Sequence, residues 1–202
     1  MKLYFSPGAC SLSPHIILCE AGLPHTIEKV DLRAKTTASG ADFTAINPKG
    51  YVPALDIGNG VVLTEGPAIV QYLADQVPAK NLAAPAGSVL RYQQISWLNF
   101  IGTEVHKNFS PLFNPALSEE FKEYARGNLR KRYGWLNEEL GQRDYLAGSA
   151  FSVADAYLFV VTNWAKLVKL DLSDYPHLLA FQKRIGSRPA VQEALRAEGL
   201  ID

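Results

Sequence analysis

Lys2-Leu3-Tyr4-Phe5-Ser6-Pro7-Gly8-Ala9-Cys10-Ser11-Leu12-Ser13-Pro14-His15-Ile16-Ile17-Leu18-Cys19-Glu20-Ala21-Gly22 is the stretch that decides the fold of the first part of the chain. Residues 2–5 form a short apolar, strand-like run that Ser6-Pro7-Gly8 ends. Residues 11–21 then carry a helical pattern that Gly22 closes and Pro24 seals. Working outward, residues 26–32 alternate as a second strand, and a short helix falls near residues 42–46. Residues 54–63 read as a hairpin whose Gly58-Asn59-Gly60 supplies the positive-φ residues a tight turn requires. Residues 65–77 place Ile69, Tyr72, Leu73 and Val77 at helical spacing. The order β-α-β, short helix, β-β-α predicts a small mixed sheet with helices on it, an α/β N-terminal domain over residues 1–80.

Residues 78–87 hold two prolines, a glycine and several alanines without periodicity, which marks a linker. Strand patterns stop there. Residues 89–108, 119–141, 152–169 and 175–197 each read as one helix, so residues 88–202 are expected to form an all-α helical bundle. In Phe151-Ser152-Val153-Ala154-Asp155, Ser152 can cap a helix and Asp155 can answer it as a capping-box acid. That assigns Asp155 to folding and not to catalysis.

With 48% apolar and 20% charged residues, the chain can bury a core without a metal or disulfide staple. Twenty basic residues balance twenty acidic ones, and no Lys/Arg block recurs, so neither a nucleic acid nor an anionic membrane is the expected partner. A small molecule is. The only cysteines, Cys10 and Cys19, make no disulfide framework, which suits a reducing compartment. Pro7 interrupts any apolar leader, and no run of about 18 apolar residues follows. The expected location is the cytoplasm.

Cys10 stands between a Pro-Gly turn and a helix N-terminus, a place that favours a thiolate; the alternative is a small buried hydrophobe. Cys19 lies in the helix body and reads as packing. Val52-Pro53 precedes the hairpin, where a cis bond would leave the Val52 amide and carbonyl free to pair with an extended peptide; a plain rigid turn reads equally well. Thr64-Glu65-Gly66-Pro67 opens a helix whose N-terminus can hold a carboxylate. Glu65 there is either a favourable N-terminal charge or an acceptor for a ligand ammonium. Asn99, Thr103 and His106 fall at i, i+4 and i+7 with Lys107 beside them, so on an α-helix they form one polar stripe, either a solvated edge or a cleft wall.

Taken together, residues 4–11, Asn47-Pro48-Lys49-Gly50-Tyr51-Val52-Pro53-Ala54-Leu55, Leu63-Thr64-Glu65-Gly66-Pro67-Ala68-Ile69 and the Ser152–Asp155 segment resemble the cytosolic glutathione transferases in order and spacing. Pro7-Gly8-Ala9-Cys10 with Glu104-Val105-His106-Lys107 is similar to the bacterial beta class. The resemblance spans essentially the whole chain. It implies a thioredoxin-like domain for glutathione, a helical domain for a hydrophobic electrophile, and a homodimer, with glutathione as co-substrate and no metal. By position, it sets Cys10 against the glutathione sulfur, Val52 and Pro53 beside its cysteinyl backbone, Glu65 and Gly66 at its γ-glutamyl end, and Lys35 at its glycyl carboxylate. Asn99, Thr103, His106 and Lys107 contribute from the helical domain, with Cys10 and His106 as the catalytic pair.

Two departures matter. Gly66 stands where much of the wider family has serine, and Tyr4, Ser6 and Ser11 are hydroxyl rivals to Cys10 for activating a thiol. The implied reaction is conjugation of glutathione to electrophiles. The alternatives are glutathione-dependent thiol-disulfide exchange or peroxide reduction through Cys10, and a binding protein without turnover walled by Trp97, Phe109, Phe113 and Trp164.

Overall fold

The computed structural model describes all 202 residues. The opening segment folds as β1 (Lys2–Phe5), a loop, and α1 (Leu12–Ala21), which Gly22 ends at φ 66° with its N–H bonded back to Cys19. Then follow β2 (Thr26–Asp31), a two-residue β3 (Thr36–Thr37) and α2 (Phe43–Ile46), the last capped by the Asp42 carboxylate accepting from the Thr44 N–H at 2.8 Å. The hairpin is β4 (Ala54–Gly58) and β5 (Val61–Thr64); Gly58, Asn59 and Gly60 all have positive φ, as the turn chemistry predicted. α3 (Gly66–Asp75) follows with Pro67 in its first turn.

The strands order as β3-β2-β1-β4-β5, with β1 parallel to β2 and every other pair antiparallel. Register puts Ile27, Leu3, Leu55 and Leu63 in one cross-strand row. Because side chains alternate, the adjacent row turns Tyr4 and Ala54 to the other face, where they pack with Val30, Phe43 and Val52. α1 and α3 pack against each other, and Leu12, Ile16, Ile17, Ile69 and Leu73 are fully buried.

The helical part comprises α4 (Val89–Phe100), a π-helical stretch (Ile101–His106), α5 (Lys107–Phe113), α6 (Glu119–Gln142), α7 (Val153–Asn163), α8 (Pro176–Gly186) and α9 (Pro189–Ala197). α6 buries Ala125, Leu129, Tyr133, Leu136 and Leu140, the stripe its 3.6-residue period dictates. α7 is buried from Val153 through Thr162. Its N-terminus is the predicted capping box: the Asp155 carboxylate accepts from the Ser152 N–H, the Ser152 hydroxyl and the Leu146 N–H, each at 2.8 Å. No helix is long and apolar enough to cross a membrane.

Two of the predicted helices are not single helices. Residues 89–108 are an α-helix, a π-helical stretch and the start of another α-helix. Residues 175–197 split into α8 and α9 at Arg188, which is extended (φ −67°, ψ 136°) because the residue before Pro189 is kept out of the helical region. That break redraws the domain boundary expected at residues 88–202. The chain divides into one unit of Met1–Pro85 with Ser187–Asp202, and a second of Ala86–Gly186. α9 packs along α1, and the Arg188 guanidinium grips both Glu20 oxygens, at 2.5 and 3.0 Å.

Candidate active site

Three loops of the first unit meet around residues 49–52. From the β1–α1 loop, the Cys10 thiol donates to the Val52 carbonyl at 3.3 Å. From the loop after β2, the Lys35 ammonium donates to the Gly50 carbonyl at 2.6 Å. At the start of α3, Glu65 Oε1 accepts from the Lys49 ammonium at 2.5 Å and from the Tyr51 hydroxyl at 2.8 Å, while Lys49 also reaches the Thr64 hydroxyl at 3.0 Å. Asn47 braces the segment from within, its side-chain amide donating to the Tyr51 carbonyl at 2.6 Å.

The backbone is shaped for this convergence. Val52-Pro53 is cis. Val52 is 3% exposed, and its N–H makes no hydrogen bond within the protein. Glu65 has φ 69° and ψ 111°, a conformation unfavourable for a residue with a Cβ. Gly66 begins α3 and sits against Pro53, whose Cγ lies 3.9 Å from the point a Cβ on Gly66 would occupy. Lys49 and Tyr51 are the members that the sequence reading did not assign; both lie in the segment between Asn47 and Val52 and are recognised only when Glu65 is brought to them.

The electrostatics correct one expectation. Burial pushes the Cys10 thiol up to about 12, against the stabilising backbone N–H groups of Cys10 and Ser11, and the Glu65 carboxylate pushes the same way. α1 starts only at Leu12, and its N-terminus does not outweigh that desolvation. Cys10 is therefore a protonated donor at neutral pH, not a standing thiolate.

The rival hydroxyls also separate. Ser11 is fully buried and exchanges hydrogen bonds with the Ser6 backbone, closing the loop, and Tyr4 packs its ring 5.9 Å from Phe43 in the core.

In the second unit, His106 Nδ1 lies 2.6 Å from the Tyr157 hydroxyl, and its ring meets Trp164 edge-on at 4.8 Å. Thr103 donates back to the Asn99 carbonyl at 3.1 Å, and Asn99, Thr103 and Lys107 are exposed. Asn99 and Thr103 thus keep the expected i, i+4 stacking, while the π-helical stretch over residues 101–106, which advances more residues per turn, shifts His106 from the i+7 position of an α-helix. Phe109 and Phe113 pack on Trp164 at 5.6 and 5.9 Å, but Trp97 stacks instead on Trp135 at 5.2 Å, so the four aromatics do not form one wall.

This arrangement coincides with two family models: the glutathione S-transferase N-terminal domain matches residues 8–76, and the glutathione S-transferase C-terminal domain matches residues 100–189. The chain belongs to the glutathione S-transferase family. Among relatives of this transferase, the glutathione S-transferase GstA of Escherichia coli O157:H7 is 51% identical over 99% of this chain and 100% of that protein. A sphingomonad glutathione S-transferase, solved in complex with glutathione, is 50% identical with a TM-score of 0.96, and all of both chains is covered. The bacterial beta class enzyme of Sphingomonas chungbukensis is 49% identical with a TM-score of 0.97, again over both whole chains. The transferase thus groups with the bacterial beta class, and its α/β plus all-helical architecture is that of the family.

Proposed function

We propose that the chain conjugates the thiolate of glutathione to hydrophobic electrophiles, and that residues 49–52 organise the glutathione site. The observation that carries this reading is the convergence of Cys10, Lys35 and Glu65 on that one segment. Glutathione is an extended tripeptide with a carboxylate at one end and an ammonium and carboxylate at the other. The Val52 N–H and carbonyl offer the backbone pairing of an added strand to its cysteinyl residue. Glu65 accepts from the γ-glutamyl ammonium, the first amides of α3 hold its carboxylate, and Lys35 draws the glycyl carboxylate. Cys10, bonded to the Val52 carbonyl, then lies next to the glutathione sulfur.

A free thiol with a pKa of about 8.5 is mostly protonated at neutral pH, and lowering that by about two units requires roughly 2.7 kcal/mol of differential stabilisation. A Cys10 that stays protonated supplies a donor to that sulfur without a second negative charge. The roles carried over for Asn99, Thr103, His106 and Lys107, a homodimeric assembly and a cytoplasmic location belong to the same proposal.

One observation favours a second activity. The Cys10 sulfur lies 3.3 Å from the carbonyl that would hold the cysteinyl residue of glutathione, so a mixed disulfide would need little rearrangement. The test is initial rates with a generic aromatic electrophile and with a glutathione mixed disulfide, alongside intact mass after exposure to oxidised glutathione. Electrophile turnover that survives Cys10→Ala is the expected result. A glutathione adduct on Cys10 with disulfide reduction alone would replace conjugation by the redox reading.

A further inference from the structure

Away from the glutathione site, α1 and the strand entry that follows it bring together His15, Cys19 and His25, whose donor atoms all lie within 4.8 Å of one another. Local structure explains the meeting. His15 and Cys19 are four residues apart and share one face of α1. The left-handed Gly22 cap then reverses the chain so that His25, just before β2, returns to the same face; the two imidazole rings are 5.6 Å apart and nearly perpendicular.

The imidazole hydrogen bonds fix which nitrogen is basic. His25 Nδ1 is 2.8 Å from the Leu23 carbonyl oxygen, which can only accept, so Nδ1 carries a proton and the neutral ring has its lone pair on Nε2. His15 Nδ1 is 2.9 Å from the Glu198 carboxylate at the C-terminal cap of α9, with the same consequence. Histidines that bind metals are held this way, with one ring N–H on a carboxylate or carbonyl and the other nitrogen on the ion. His15 is 1% exposed, whereas Cys19 and His25 are half-buried, so the cluster has a fixed inner ligand and an outer side open to solvent. The carboxylates of Glu193 and Glu198 lie near Cys19, as does that of Glu20, which Arg188 pairs; a negative setting of this kind favours an incoming cation.

We propose that His15, Cys19 and His25 form a binding site for a borderline-soft transition-metal ion of the Zn²⁺ type, distinct from the glutathione site. Two imidazole nitrogens and a thiolate are the donor set such ions prefer over Mg²⁺ or Ca²⁺, and three protein ligands leave a fourth position for water. Metal–nitrogen and metal–sulfur bonds of about 2.0–2.3 Å place tetrahedral donors about 3.5 Å apart, so the side chains close by roughly an ångström on binding. The imidazoles and the thiolate replace water on the ion, and the thiol proton passes to solvent. The site has a line to the transferase loop: the other Glu198 oxygen accepts from the Gly8 N–H at 2.9 Å, two residues before Cys10.

The full-length protein, stripped with a chelator, is titrated with Co²⁺ as a spectroscopic stand-in. The expected result is one equivalent bound per chain, with a sulfur-to-metal charge-transfer band and the visible bands of tetrahedral cobalt, both displaced by Zn²⁺. Cys10→Ser keeps that spectrum, Cys19→Ser removes the charge-transfer band, and His25→Ala weakens Co²⁺ binding by roughly 10–100-fold or more. A wild-type spectrum without the band, or one that survives Cys19→Ser, overturns the proposal. A measurement needing no variant supports it independently: saturating Zn²⁺ slows alkylation of Cys19 in the wild-type protein, read by peptide mass, and an unchanged rate at Cys19 counts against the site.

Discussion

At the scale of the residue, the site is governed by charges and backbone angles that no motif displays. Cys10 has its thiol pushed up to about 12 by burial, so its thiolate fraction grows about tenfold per pH unit throughout the neutral range. Alkylation of Cys10 by iodoacetamide is therefore expected to accelerate steadily from pH 6 to pH 9 (about three decades) without levelling off; a plateau near neutrality would show the thiolate that the helix N-terminus alone suggested. Glu65 makes a complementary case, because its φ of 69° places a side chain where glycine is the natural occupant. Glu65→Gly should leave thermal stability equal or raised, by up to about 1 kcal/mol, while glutathione affinity falls at least tenfold, as measured by calorimetric titration. A purely structural Glu65 would lose stability and keep affinity. The pattern Thr64-Glu65-Gly66-Pro67 was legible in the sequence as a helix opening, but the strained angle and the Lys49 and Tyr51 partners depend on where the 49–52 segment lies.

At the scale of the element, capping and proline rules carried far. The Asp155 carboxylate accepts three hydrogen bonds at the head of the fully buried α7, and truncation leaves the Leu146 and Ser152 N–H groups without their acceptor. Asp155→Ala is expected to cost about 3 kcal/mol or more in urea unfolding, since each orphaned buried donor costs roughly 1–3 kcal/mol. Burial raises this carboxyl from 3.8 to about 6, against the Leu146 and Ser152 donors. A raised folded-state value means the folded chain holds the proton more tightly, so the stability this linkage adds is present below 3.8 and lost as pH rises through 6. The stability advantage of wild type over Asp155→Asn should therefore shrink between those limits, and a growing advantage would contradict the sign. Where element reading failed, the cause lies outside local periodicity: the π-helical stretch from Ile101 to His106 has an apolar spacing close to that of an α-helix, yet it shifts His106 off the row in which Thr103 still stacks on Asn99.

At the scale of the whole molecule, the consequential difference is the assignment of Ser187–Asp202 to the first unit. α9 buries Val191 and Ala194, and Glu198 ties both His15 and Gly8 to it. A chain ending at Gly186 is expected to have a destabilised α/β unit, seen as a lower urea midpoint for its unfolding; an unchanged midpoint would show that α9 is dispensable there. The sequence by itself determined the strand and helix order of residues 1–80 apart from the two-residue β3, the hairpin turn, the cap of α7 and the family, because each rests on contacts between residues a few positions apart or on a motif of fixed spacing. Only the tertiary structure decided that the Cys10 thiol stays protonated, that residues 49–52 bind three loops together, that α9 returns to α1, and that His15, Cys19 and His25 face one another. Those outcomes depend on desolvation and on contacts between residues as far apart as His15 and Glu198, which the chain brings together only by folding.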